Sequence, residues 1–369
     1  MVASTGTVSL CLAVFNEERH VGEMLESIRR QTHRAVEVHI FDNASTDRTS
    51  AICRDFLADR RFSYHRNAVN IGQLRNYNRI HAVATGDFVV PLAANDVLEP
   101  TYVERLLDRI RADPAVGLVA ARIVAIDEES RTLRQDEWEP QRSFETRHAN
   151  PVAAAATVMR GWHYANYFFG MYRRTVFERL QPQRPLYGSD VAFVCELALY
   201  ADIRFVDEPL LRLRRHRRNQ VDHLARVFSE EAVQELDERS LFRRFDRLTP
   251  YIDFTWAYLE MISLARVSEE QRQTLARVAI RTQRELYGSR MRQEADALIS
   301  IAGINRPLWG EVEGRAGRMM LGRRLLDRAS RALVVLQEHA GLADLCDRLV
   351  VALGAAARSG ARVSSQAAG

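Results

Sequence analysis

Short oxygen-bearing side chains meet at Asn95-Asp96, where the apolar run Phe88-Val89-Val90-Pro91-Leu92-Ala93-Ala94 stops and Val97-Leu98-Glu99-Pro100 leads to a helix start. A buried parallel strand delivers such groups to the crevice at the carboxyl edge of an α/β sheet, where ligands bind. Two oxygen donors there suit a hard divalent cation. The same residue types are favoured helix N-caps, so the stretch by itself serves either reading. Arg212, Arg214, Arg215, Arg217 and Arg218 crowd around His216. That density of positive charge calls for an anion. A hydrated loop or an anionic membrane surface competes for it. Nucleic acid is the weaker partner, because no aromatic residues are interleaved with the arginines.

The elements that must position these groups alternate strand with amphipathic helix. Thr7–Val14 reads as the first strand and runs into Phe15-Asn16-Glu17-Glu18; Asn16 is a plausible N-cap, with Val21, Met24, Leu25 and Ile28 on one helical face. Val36–Phe41 is a second strand, ending at Asp42-Asn43-Ala44-Ser45-Thr46-Asp47, a pattern that also suits an Asx-turn into the next helix. A short strand over Phe62–Arg66, a loop over Asn67–Gly72 and a helix from about Leu74 to Ala84 lead to the strand that ends at Asn95-Asp96. A helix bearing Val103, Leu106, Leu107 and Ile110 and a strand over Gly117–Ile126 follow. This alternation predicts an α/β fold with a mostly parallel sheet, its polar strand ends converging on one edge. Pro91 removes a ladder donor and is read as a strand end or bulge.

At 369 residues, with 47% hydrophobic and 27% charged residues, the chain has the composition of a soluble globular protein with room for more than one core. No apolar window is long enough to cross a bilayer and no basic-then-apolar leader opens the chain, so a cytoplasmic location is expected. Cys11, Cys53, Cys195 and Cys346 have no metal-like or redox spacing. The net charge is +4 and every basic residue of the Lys/Arg class is arginine, which excludes a P-loop, whose phosphate site needs lysine. A dinucleotide-binding turn is excluded too, since Val14-Phe15-Asn16-Glu17 has no glycine.

Val8–Glu18, Asp42–Asp47, Asn70–Asn76, Gly86–Pro100, Tyr187–Asp190 and Glu208–His216 together resemble the family-2 glycosyltransferases of the GT-A fold, over roughly residues 5 to 220. The resemblance implies a nucleotide-diphosphate-sugar donor, a hydroxyl-bearing acceptor, inversion at the anomeric carbon, and a place in cell-envelope or natural-product glycan synthesis. It sets Phe15 beside the base, Asn16 and Glu17 at the pocket's strand end, and Asp42 with Asn43 at the base edge or ribose. Gly72, Arg75 and Asn76 fall in a segment near the nucleotide, with Arg75 suited to a phosphate. Asp190 matches the catalytic base, at the start of a helix bearing Phe193, Val194, Leu197 and Ala198. Asn95, Asp96 and His216 match the positions that hold Mg2+ or Mn2+, and Asp96, Arg214 and His216 approach the diphosphate. Two departures stand out: Asn43 and Asn95 occupy positions where aspartate is common, so Asp96 is the last carboxylate of a thinned metal motif. That thinning keeps open a non-catalytic sugar-nucleotide-binding or assembly protein on the same fold. Trp162, His163 and Tyr167 form core packing or an acceptor wall.

The expected organisation is a nucleotide-sugar-binding half over 1–125, an acceptor and base half over 126–222, an α-helical C-terminal region over 223–354 and a disordered tail over 355–369. In the helical region Leu241–Arg247, Ile252–Ala265, Gln271–Tyr287 and Leu325–Leu336 are candidate segments. The last of them, with Leu342–Leu353, is amphipathic, open to packing on the catalytic domain, oligomer formation or peripheral membrane contact.

Overall fold

A computed structural model of the chain describes residues 6–134, 143–160, 167–183, 188–215 and 250–304. Among them, eight strands form one sheet in the order β3-β2-β1-β4-β7-β6-β8-β5. They are β1 (Val8–Val14), β2 (Val36–Asp42), β3 (Phe62–Arg66), β4 (Phe88–Ala93), β5 (Val97–Leu98), β6 (Val116–Ile126), β7 (Met171–Arg173) and β8 (Asp202–Arg214). The sheet is mixed. β1 pairs in parallel with β2 and β4, β2 with β3, and β6 with β8, whereas β7 runs antiparallel to β4 and β6, and β5 to β8.

The order reverses at β1, which has β2 on one side and β4 on the other. Crevices open outside the carboxyl ends of strands at such a switch point. The residues after Val14, Asp42, Ala93, Ile126 and Arg214 therefore share one edge. β1 and β4 are buried along most of their length, as their continuous Val/Leu/Cys content requires of strands covered on both faces. The helices α1 (Val21–Arg29) and α5 (Tyr102–Arg111) put Val21, Met24, Leu25, Ile28, Val103, Leu106, Leu107 and Ile110 into the same core cluster as Leu10, Leu12, Val38 and Ile40. Each such Leu or Ile contributes roughly 1.5–3 kcal/mol relative to exposure.

Three local expectations change. Pro91 is neither a strand end nor a bulge: β4 stays in unbroken register with β1 through Pro91 opposite Cys11. The β7 ladder covers only Phe88 and Val89, so the missing N–H at Pro91 breaks no bond on that side. The single helix expected from Leu74 to Ala84 is two, α3 (Gln73–Asn78) and α4 (Ile80–Val83). The side chains of Asn76 and Asn78 bond to the distant carbonyls of Phe41 and Gln183, competing with a continuous helix. The segment Glu208–Arg214, read only as a motif, is the end of the long strand β8. A register shift at Ala121/Arg122 falls opposite Val206 and Pro209, where a proline needs one.

The remaining helices are α2 (Thr49–Asp55), α6 (Pro151–Arg160), α7 (Arg174–Phe177), α8 (Ser189–Ala198), α9 (Pro250–Leu264) and α10 (Glu269–Ile304). α9 covers the expected segment Ile252–Ala265 except for its last residue, and α10 covers Gln271–Tyr287; Leu241–Arg247, Leu325–Leu336, Leu342–Leu353 and the tail lie outside the described residues. The chain divides into two compact units, Met1–Gln220 with Met261–Leu275, and Val221–Glu260 with Ala276–Gly369. In the second, the carboxylate of Glu294 accepts from the N–H groups of Tyr251 and Ile252 at 2.9 and 3.0 Å, satisfying donors that the first turn of α9 leaves open after Pro250. Among the described residues no helix is long and apolar enough to cross a membrane.

Candidate active site

The loops after β1 and β2 are laced together by side-chain to backbone bonds. The N–H of Asn16 donates to Ser45 Oγ at 3.1 Å, that of Glu17 to Thr49 Oγ1 at 2.7 Å, and that of Thr46 back to Asn16 Oδ1 at 2.8 Å. Asn16 and Ala44 sit at φ +50° and +63°, in the left-handed region that asparagine tolerates and alanine resists. Strain of this kind persists where surrounding bonds over-determine it. Phe15 is left 41% exposed, a large ring not used by the core. Behind it Asp42 is fully buried, accepting from the Ser45 N–H at 2.8 Å, Ser50 Oγ at 2.6 Å, the Tyr64 hydroxyl and Arg66 at 2.5 Å. Burial alone would raise its pKa, but the bonds from Ser45, Ser50 and Tyr64 bring it down to about 2. Asp42 is thus held as an anion that ties the end of β2 to Ser45, Ser50, Tyr64 and Arg66. Ser45 and Asp47 do what the turn reading asked of them: Asp47 Oδ1 accepts from the Thr49 N–H at 2.9 Å.

Asn43 holds the next loop. Its Oδ1 accepts from Asn67 Nδ2 at 3.0 Å and the Ile71 N–H at 2.9 Å, and its Nδ2 donates to Asn70 at 2.7 Å. Asn76 is buried, donating to the Phe41 carbonyl at 2.7 Å and accepting from Asn67. Gly72 takes φ +86°, which favours glycine, and its N–H bonds Asn70 Oδ1 at 2.9 Å. Arg75, on the α3 turn that follows, is exposed and makes no ion pair or side-chain hydrogen bond among the described residues. Tyr77, missed by sequence reasoning, is buried and donates to the Leu92 carbonyl at 3.2 Å. Burial raises its pKa, and the charges of Asp96 and Asp190 raise it further. One phenol therefore feels the charge of both carboxylates.

The Asn95-Asp96 turn is clasped by the end of β8. The backbone N–H of Arg214 donates to Asp96 Oδ1 at 2.9 Å. The Arg214 side chain is fully buried, and its guanidinium bonds the carbonyls of Asn95 and Asp127 at 2.7 Å each, Glu23 at 2.7 Å and Ser130 Oγ at 2.9 Å. Arg214, expected at the nucleotide, is instead enclosed in the scaffold with these donors engaged. Asp96 is buried, and burial pushes its pKa up to about 7 against the opposing pull of Arg214 and Arg215; the charge of Glu17 adds to the rise. Arg215 is half-buried; its N–H donates to the Ile126 carbonyl at 2.8 Å, while its side-chain Nε is buried with no hydrogen-bond partner.

Asp190 stands in the first turn of α8, whose buried residues include Phe193, Val194, Leu197 and Ala198 as expected. Gly188 enters the helix at φ +77°, where a β-carbon would be strained. Asp190 Oδ1 accepts from the Val191 N–H at 2.9 Å, and burial raises its pKa. Further along α8, Glu196 Oε2 accepts from the Gln181 N–H at 3.0 Å, while Oε1 is buried without a partner. Burial pushes Glu196 up to about 7, only partly offset by Gln181, Tyr200 and Arg266. A raised carboxyl stabilises the fold below its ordinary 4.5 and loses that contribution as pH rises through about 7. Glu196→Gln should therefore gain melting temperature over the parent between pH 5 and pH 8. A gap that stays constant across parallel thermal melts would contradict this.

Residues 9–181 match the family model for Glycosyl transferase family 2. Over these residues, just under half of its length, the chain resembles that family. EpsH of Bacillus subtilis (strain 168) is 27% identical over 220 residues, 58% of this chain and 62% of EpsH. The abequosyltransferase RfbV of Salmonella typhimurium (strain LT2) is 33% identical over 95 residues, 25% of this chain and 28% of RfbV. The chain thus spans less than two thirds of either relative. S. aureus TarS 1-349 superposes with a TM-score of 0.54 at 13% identity, covering 96% of this chain and 92% of that one. Its complex with UDP-GlcNAc superposes equally, with a TM-score of 0.54 at 14% identity and the same coverage. At these identities the likeness speaks to the fold, and it agrees with the α/β GT-A class expected from the strand–helix alternation.

The divalent metal that this resemblance implies would have to be held by the donors present. A hard cation takes about six oxygen ligands. Among the described residues no three His, Cys, Asp or Glu side chains group to hold one. Asp96 brings one carboxylate and Asn95 a neutral amide, with Arg214 and Arg215 bearing on the same carboxylate. The donor set described does not fit a divalent ion; His216, with Arg217, Arg218 and Tyr187, lies outside the described residues. Of the aromatic cluster, Trp162 and His163 also lie outside them, and Tyr167 is core: fully buried, stacked on Phe144 with centroids 4.2 Å apart.

Proposed function

We propose that the chain transfers a sugar from a nucleoside diphosphate donor to an acceptor hydroxyl, with inversion and with Asp190 as general base. The observation that carries this is the pair of carboxylates, Asp96 just after β4 and Asp190 in the first turn of α8, both with pKa values raised by burial, in a chain whose residues 9–181 match the Glycosyl transferase family 2 model. Asp190 takes the acceptor proton while the acceptor oxygen forms a bond to the anomeric carbon. The bond to the diphosphate breaks on the opposite side, and its electron pair leaves with the phosphate. A pKa raised above the ordinary carboxylate range makes Asp190 a better proton acceptor near neutral pH.

The exposed groups, Phe15 and Arg75, meet the base and a phosphate. Asn16 and Glu17 shape the rim, and Asp42, Asn43, Gly72 and Asn76 hold the pocket from behind. The Asn95-Asp96 turn supports a second use, sugar-nucleotide binding without transfer, because Asn95 replaces a charged ligand. Thermal melts with UDP, GDP, UDP-GlcNAc and GDP-mannose, followed by an assay for nucleoside diphosphate release onto glycan acceptors, separate the two. At a hundredfold excess over its Kd a ligand adds about 2.7 kcal/mol to the folded state. A shift with release supports transfer, a shift without release the binding role, and no shift with any nucleotide sinks both.

A further inference from the structure

We propose that Arg215, rather than a metal ion, supplies the positive charge that holds the donor diphosphate, and that Arg214 is the positioning residue that presents it. This rests on the sugar-transfer reading above. Arg215 directly follows β8, on the same sheet edge as the Asn95-Asp96 turn, and its backbone is tied to the end of β6 through the Ile126 carbonyl.

The three described arginines of this strand end differ in what they touch. Arg212 donates to the Ser130 carbonyl at 2.7 Å, and Arg214 is enclosed by its carbonyl, hydroxyl and carboxylate acceptors. Arg215 has neither kind of partner: its Nε is buried without an acceptor, and it makes no ion pair among the described residues. The charge it feels is that of Asp96, not close enough for a salt bridge. A half-buried guanidinium whose Nε has no acceptor is costly, and a buried polar group without a partner calls for an explanation.

A diphosphate supplies one. Its oxygens accept several N–H bonds in the planar fork geometry of arginine, and its negative charge compensates the desolvation. The leaving group departs with its electron pair and needs charge stabilisation rather than a proton, which an arginine, protonated at all working pH values, provides. A divalent cation at Asp96 would instead set a further positive charge beside two guanidinium groups, against one carboxylate and an amide. The departure at Asn95 and the unpaired Arg215 then have one cause: the positive charge has moved from a bound ion into the chain.

The test is calorimetric titration of the full chain with UDP and GDP, each in excess chelator and in manganese. Affinity in chelator is expected within threefold of that in manganese. Arg215→Ala should weaken the tighter diphosphate at least tenfold and the matching monophosphate less than threefold, with Arg215→Lys recovering part of the loss. A tenfold or greater drop in chelator for the unsubstituted chain overturns the inference while leaving sugar transfer standing, and needs no variant to fold. Arg215→Ala binding as tightly as the parent also overturns it. No binding of either diphosphate under either condition removes both this inference and the function it rests on.

Discussion

Asp190→Asn is expected to lower turnover by about a hundred- to ten-thousand-fold, the span that a positioned general base contributes. The amide keeps the size of the carboxylate and can still accept from the Val191 N–H, so α8 should keep its first turn. What disappears is the ability to take a proton. Nucleotide binding should be unchanged, because Phe15 and Arg75 lie on other elements. The pH profile adds a second readout. Activity requires deprotonated Asp190, so it should fall as pH drops through a pKa raised by burial above the usual 3.8. Steady-state release of nucleoside diphosphate from pH 4 to 9 measures both. Turnover in Asp190→Asn equal to the parent would remove this residue from the role of base.

Arg214→Met should be the costliest change to stability at the site, about 3 kcal/mol, the low end for breaking a buried charged network because Glu23 remains partly solvated. The substitution leaves the carbonyls of Asn95 and Asp127 without their donor, while the backbone bond to Asp96 survives. For a domain of this size the loss corresponds to roughly 6–12 °C in melting temperature. Arg215→Ala provides the contrast, since removing an unpaired half-buried cation should leave the melting temperature unchanged or higher. Chemical denaturation of both variants decides the matter. If Arg214→Met unfolds within 1 kcal/mol of the parent, the clasp on the Asn95-Asp96 turn is not holding the strand end.

Sequence pattern was a good guide where one force dominates. The apolar periodicity of Val8–Val14, Val36–Asp42 and Phe88–Ala93 marks buried strands, and their parallel pairing brings the polar residues directly after them to one sheet edge. Side-chain commitment was not legible. Arg214 and Arg215 are adjacent and chemically identical, yet one is enclosed by acceptors 84 to 191 residues away and the other is left unpaired. Nothing local to the short helix that carries Tyr77 indicates that the charges of Asp96 and Asp190 will bear on it. Pro91 is misleading in sequence for a related reason: whether a proline breaks a ladder depends on where the neighbouring strand stops, and β7 is contributed some 80 residues later.

The bond from Arg214 to Asp96 spans 118 residues, which gives the site a timetable during synthesis. At about 5–20 residues per second, the Asn95-Asp96 turn leaves the ribosome roughly 6–24 s before the strand that clasps it. Through that interval Asp96 lacks its Arg214 donor, and the Val14, Asp42 and Ala93 ends can already assemble from the N-terminal strands. The sheet edge proposed to meet a nucleotide can thus form while the chain is still growing. The edge that would grip its diphosphate cannot, so a nascent or truncated chain ending before Arg214 should lack a closed site.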